Sequence, residues 1–149
     1  MTERISLDSE LWDESESGRL VQAELRSWKE KSPSVSEFRR AVEINSCSDA
    51  LYKSFYYALP YFVDELEKNS IKIQSEMITM LDWNLARAFE GDSDQLCADL
   101  FDAQSERLMK LLFEMIAGGY TEVLQDNLAA IAALNGDPVL AQAILAICP

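Results

Sequence analysis

The chain has 149 residues, with 26 acidic side chains against 13 basic ones and no histidine, so its net charge at neutral pH is −13. Hydrophobic residues make up 48%, enough to build a core and too many for a disordered chain. The missing histidine excludes Ser-His-Asp and Cys-His nucleophilic machinery and histidine-ligated metals.

Partners are constrained by the same numbers. A strongly acidic chain without a Lys or Arg cluster repels phosphate backbones, so direct nucleic-acid binding is not expected. A basic protein is instead steered toward such a surface, with an attraction that weakens in salt. No apolar run approaches the roughly 20 residues that a membrane helix needs. The opening MTERISLDSE lacks the basic stretch and apolar core of a signal peptide, so residence in the cytoplasm is expected. Cys47, Cys97 and Cys148 are odd in number and lack CxxC spacing. Apolar or small neighbours suit them to buried, reduced thiols.

The pattern is helical nearly throughout, and residues 1–149 read as one all-α domain. A short opening helix is expected around Leu7, Leu11 and Trp12. Ser17 is expected to cap the next helix, with Leu20, Val21, Leu25 and Trp28 on one face. Pro33 interrupts it, and Ser34 with Glu37 forms a capping box for a helix carrying Phe38, Ala41 and Val42. Asn45-Ser46-Cys47-Ser48 breaks that helix. Ser48 or Asp49 caps a segment with Leu51, Phe55, Leu59, Phe62, Val63 and Leu66 inward. Pro60 falls inside it and should kink the helix without ending it, because the apolar phase continues.

After Asn69-Ser70 a helix places Ile71, Met77, Ile78, Leu81, Leu85, Ala88 and Phe89 inward. From Ser93 or Asp94 another carries Leu96, Leu100, Ala103, Leu108, Leu111, Leu112, Met115 and Ile116, until Gly118-Gly119 stops it. Thr121 is expected to cap a helix with Val123, Leu124, Leu128, Ile131 and Leu134 on its apolar face. Asn135-Gly136 ends it, and Asp137-Pro138 opens a last helix carrying Val139, Leu140, Ile144 and Ile147.

Whole units recur as well. Ala88-Phe89-Glu90-Gly91-Asp92 and Ala133-Leu134-Asn135-Gly136-Asp137 share the form A-x-x-G-D at an offset of 45 (133 − 88). The same offset carries Asp49 to Asp94, Leu51 to Leu96 and Phe55 to Leu100. Helix pairs are therefore expected over about 17–45, 49–90 and 94–135, followed by a terminal helix at 137–147. Here the chain resembles HEAT-like or armadillo-like helical repeats. Tyr57-Ala58-Leu59-Pro60-Tyr61-Phe62-Val63, followed by Leu66, looks like the proline-kinked first helix of such a unit. The Asn-Gly-Asp-Pro turn before Val139 resembles the link between units. The resemblance implies a short solenoid of stacked antiparallel helix pairs with a protein-binding role. The family's regular Asp and Arg positions are not clearly present, and an irregular helical bundle is the alternative.

No catalytic constellation stands out. Asp92 and Asp94 are explained as helix-start residues, and Asp99 and Asp102 as the polar flank of an apolar stripe. Asp92-x-Asp94 lacks the third ligand and the glycine of a calcium loop. Gly118-Gly119 lacks the strand, lysine and hydroxyl of a phosphate loop. Cys97 has no base nearby, and the crowding of Tyr52, Tyr56, Tyr57 and Tyr61 suits packing plus partner contact. No catalytic residue, metal ligand or cofactor is therefore expected.

An interaction face is better supported. Lys72, Glu76, Thr79, Trp83, Arg87 and Glu90 follow at intervals of 4, 3, 4, 4 and 3, which is one helical stripe. Trp83 is a large ring on this polar face, with Asp82 beside it, and charge-flanked tryptophan is the composition of a binding hot spot. In a stack of helix pairs the second helices line the partner face, so Glu122, Gln125 and Asp126 should extend it. From Leu111 to Pro149 the chain has no Lys or Arg, and this apolar end is a candidate homodimer surface. In general character the chain is similar to acidic immunity proteins of bacterial contact-dependent inhibition systems. That resemblance implies a non-catalytic inhibitor covering a basic nuclease-type toxin domain. A generic helical-repeat adaptor or homo-oligomerising scaffold is the alternative.

Overall fold

In the computed structural model, residues 3–46, 52–88, 94–120 and 122–147 are described. Among these described residues a 3-10 helix, Glu10–Glu14, precedes seven α-helices: α1 (Glu16–Trp28), α2 (Val35–Ile44), α3 (Lys53–Glu67), α4 (Ile71–Ala86), α5 (Gln95–Ala117), α6 (Leu124–Leu134) and α7 (Pro138–Leu145). The all-α expectation holds. Among the described residues, no helix is long and apolar enough to cross a membrane.

The caps explain most of the boundaries. Ser34 and Glu37 satisfy each other's backbone N–H groups in a complete capping box. Ser70, Asp94 and Asp137 accept from the first turns of α4, α5 and α7, and Pro138 stands where its missing N–H costs nothing. α1 begins earlier than its pattern suggests. Ser15, not Ser17, accepts from Gly18 N–H, and the Ser17 hydroxyl lies 3.1 Å from that of Ser54 on α3. Pro60 sits within α3, as its apolar phase requires. The expected caps Ser48, Asp49, Ser93 and Thr121, with Leu51, Phe89, Asp92, Cys47 and Cys148, lie outside the described residues.

α1, α3 and α5 pack side by side in one row, and α2, α4 and α6 in a second. Neighbours in the first row run parallel: Trp28 meets Phe62, Lys53 pairs with Asp94 at 3.4 Å, and Arg107 reaches Asp64 at 2.9 Å. Consecutive helices run antiparallel, since Glu24 pairs with Arg40 while Trp28 stacks on Phe38. The core lies between the rows, built on Trp12, Phe38, Phe55, Leu59, Phe62, Leu66, Leu81, Leu100 and Leu108, all fully buried.

Several side chains face opposite to expectation. Leu20 and Ile71 are exposed. On α6, Leu124 and Leu128 point outward while Ala129, Ala130, Ala132 and Ala133 are buried. On α7, Val139, Leu140 and Ile147 are exposed and Ala141 is buried. The reason is close approach: alanine faces let α6 and α7 pack with little side-chain bulk between them, and the larger residues turn outward.

Gly18 tests the N-terminal packing. A Cβ there would stand 2.3 Å from the Trp12 carbonyl oxygen, which is backbone. Gly18→Ala is therefore expected to destabilise the protein by about 2 kcal/mol through the forced displacement of the 3-10 segment. Thermal denaturation followed in the near-ultraviolet circular dichroism of the tryptophans measures the loss.

Candidate protein-binding face

α4 presents Lys72, Glu76 and Thr79 at helical spacing along one edge of an open cavity of about 340 Å³. Arg39 of α2 forms another side. The opposite wall comes from the chain after α5, where Gly119 adopts a φ of +86°, a conformation that suits glycine and turns Tyr120, Glu122 and Val123 into place. Ile78, Met115 and Asn127 complete the lining. The cavity thus joins both rows of the expected interaction face: Lys72, Glu76, Thr79 and Glu122 meet around one space.

Its charged side chains are exposed. The ion pairs formed among the described residues lie elsewhere, so Arg39, Lys72, Glu76 and Glu122 keep their charges for an incoming group. Ser75 and Thr79 donate to carbonyls of their own helix, Lys72 O at 2.6 Å and Glu76 O at 3.3 Å, which leaves their hydroxyl oxygens as acceptors. Buried Asn127 has no partner for its Oδ1. A second cavity, about 210 Å³, is lined by Arg4, Asp64, Glu65 and Lys68 among others, but those charges pair with one another or with Arg107.

The remaining expected residues divide. Trp83 is half-buried, and the Arg87 guanidinium lies 3.8 Å from the centre of its ring, so one aromatic face is already covered by a cation–π contact. Gln125 is structural: its Nε2 donates to Ile144 O and Ile147 O, each at 2.7 Å, and fastens the end of α7. Asp126 is half-buried and Glu90 lies outside the described residues.

Asp82 is a correction. It is 0% exposed, and neither carboxylate oxygen has a well-aligned hydrogen-bond partner among the described residues, the nearby backbone N–H groups approaching at poor geometry. Burial, reinforced by the charge of Asp126, pushes its pKa up to about 8, with the backbone N–H groups of Trp83 and Asp82 offsetting part of the rise. The spacing explains the placement, because 78, 82 and 85 follow one face, and Ile78 and Leu85 are core residues. Cys97 is also buried, and burial pushes its thiol up to about 12, so it is protonated and unreactive at neutral pH. Among the described residues, no group of three or more Cys, Asp or Glu side chains is placed to hold a metal ion.

Sequence reasoning missed Arg39, Tyr120 and Asn127. Arg39 precedes the core residues Ala41 and Val42 on a different helix, and only packing of α2 against α4 brings it to the cavity. Comparison of the chain with protein-family models, with curated proteins and with solved structures finds no match.

Asp82 gives a pH test. Its folded pKa, about 8, exceeds the roughly 3.9 of an unfolded aspartate, so the native state keeps a proton that the unfolded chain releases. Stability contributed by that proton is present at low pH and is lost as pH rises toward 8. Asp82→Asn removes this slope. The variant should gain about 2 kcal/mol or more over the natural protein at pH 8.5 and much less at pH 5, measured by urea denaturation at both values.

Proposed function

We propose that the protein is a non-catalytic, protein-binding inhibitor that covers a cationic surface of its partner, and that its class is the immunity protein neutralising a basic, nuclease-type toxin domain. The observation that carries this reading is the convergence of Lys72, Glu76, Thr79 and Glu122, with Arg39, on one open cavity whose charged groups form no ion pair among the described residues. The net charge of −13 supplies long-range attraction for a basic domain. A nuclease must hold a polyanion in a cationic groove, so an acidic cover competes for that groove and arrives quickly. The stacked-pair arrangement belongs to the same reading. Two rows of helices put α2, α4 and α6 on one continuous face, and Tyr56 meets Phe101, one repeat offset along, edge to face at 6.4 Å. Cytoplasmic residence follows from the role, since the toxin is neutralised where it acts.

Co-expression with the basic carboxy-terminal domain encoded by a neighbouring large toxin-like gene tests the reading. The two chains should co-purify as a stable complex that inhibits nuclease activity. Glu76→Lys with Glu122→Lys should weaken the complex by roughly tenfold or more and flatten its dependence on salt. Unchanged affinity in that double variant would move the interface away from the cavity, and an adaptor role would then fit better.

A further inference from the structure

The last helix is inside out. α7 buries Ala141 and rests on Ala132 and Ala133 of α6, with Ile144 alongside, in a cluster separate from the main core. Its larger side chains are turned to solvent: Val139 is 75% exposed, Leu140 48%, and Ile147, two residues past the helix, 61%. Positions 139, 140, 143 and 147 share one face at helical spacing. The orientation is fixed from beneath by Gln125, which bonds the carbonyls of Ile144 and Ile147. At the other end Asp137 caps the helix through Leu140 N–H at 2.9 Å. Exposed apolar surface held in place by polar ties at both ends is the arrangement of a contact surface.

We infer that the outer face of α7 docks an amphipathic segment of a protein partner, apolar along one side and bearing Lys or Arg at its edges. Charge complementarity selects this occupant. The chain carries no Lys or Arg from Leu111 to its last residue, and the carboxylate beside this face is Asp137, which caps α7 next to Val139 and Leu140. A second copy would set one body of net charge −13 against another. A basic segment complements that charge and Asp137 while covering Val139, Leu140 and Ile147. The inference rests on the reading of the protein as a binder of a cationic partner and adds a contact separate from the cavity.

The test uses two helical peptides of one design, with leucines along one face and edges that are either all lysine or all glutamate. Each is titrated into isotope-labelled protein while its amide signals are followed by NMR. The lysine-edged peptide should shift Val139, Leu140 and Ile147 saturably, and the glutamate-edged peptide should leave them in place. Val139→Ser with Leu140→Ser, at exposed positions where folding is kept, should weaken the lysine-edged peptide by roughly tenfold. Shifts confined to Thr79 and Glu122 would overturn the α7 proposal while leaving the cavity reading intact. Equal shifts by both peptides, or none by either, would overturn it as well. A dimer in sedimentation velocity that the serine variant abolishes would assign the face to a second copy and also overturn it.

Discussion

The structure depends on the burial of α3. Eleven of its fifteen residues are buried, because α1 and α5 flank it in its own row and α4 packs against it from the other. A helix that is apolar over most of its circumference packs most stably at the centre, with the charges of Lys53, Asp64 and Glu67 at the margin. Its tyrosines are held there by their polar ends. Tyr56 donates its hydroxyl to Ala88 O at the end of α4, and Tyr61 donates to Ile5 O in the N-terminal segment at 2.5 Å. Burial raises the Tyr56 pKa, which keeps that donor protonated. Trp12 meets both Tyr57 and Tyr61, so the 3-10 helix is fastened to the same element. With α3 fixed, the neighbouring helices have defined positions, and the face that carries the cavity is set by α4.

Charge distribution follows from the same packing. Arg4 and Arg107 converge on Asp64, and Arg107 also reaches Glu67, which ties the N-terminal segment and α5 to α3. Burial alone would raise the Asp64 pKa, but the two guanidiniums outweigh it and hold the carboxyl below its ordinary value. Arg26, Arg40, Lys53 and Lys68 are likewise engaged in ion pairs. With six of the 13 basic side chains engaged in ion pairs among the described residues, carboxylates in excess face solvent. The acidity of this protein is therefore largely a property of its surface.

Much of this was legible in the sequence, and the limits have physical causes. Caps and breaks are local, so Ser34, Ser70, Asp94, Asp137 and Pro60 read correctly from their neighbours alone. The cavity was half legible: Lys72, Glu76 and Thr79 follow from helical spacing, whereas Arg39 and Tyr120 arrive only through tertiary packing. On α6 and α7 the apolar pattern places Ile131, Leu134 and Ile144 inward, as observed, but fails at Leu124, Leu128, Val139, Leu140 and Ile147. Where alanines make the contact, the large residues are left outside. Asp82 was misread for a related reason, since its charge suggested exposure while its spacing with Ile78 and Leu85 placed it in the interior.

The three tryptophans occupy unlike surroundings. Trp12 and Trp28 are buried in the core, whereas Trp83 lies near the end of α4, half open to water and overlaid by Arg87. A dissolved quencher such as acrylamide therefore reaches one indole far more readily than the other two. Intrinsic emission separates into a shielded fraction that reports on the interior and an accessible fraction that reports on the exposed end of α4. One optical measurement on the unmodified protein can follow both events, and the accessible fraction needs no label to detect contact near the Trp83–Arg87 pair.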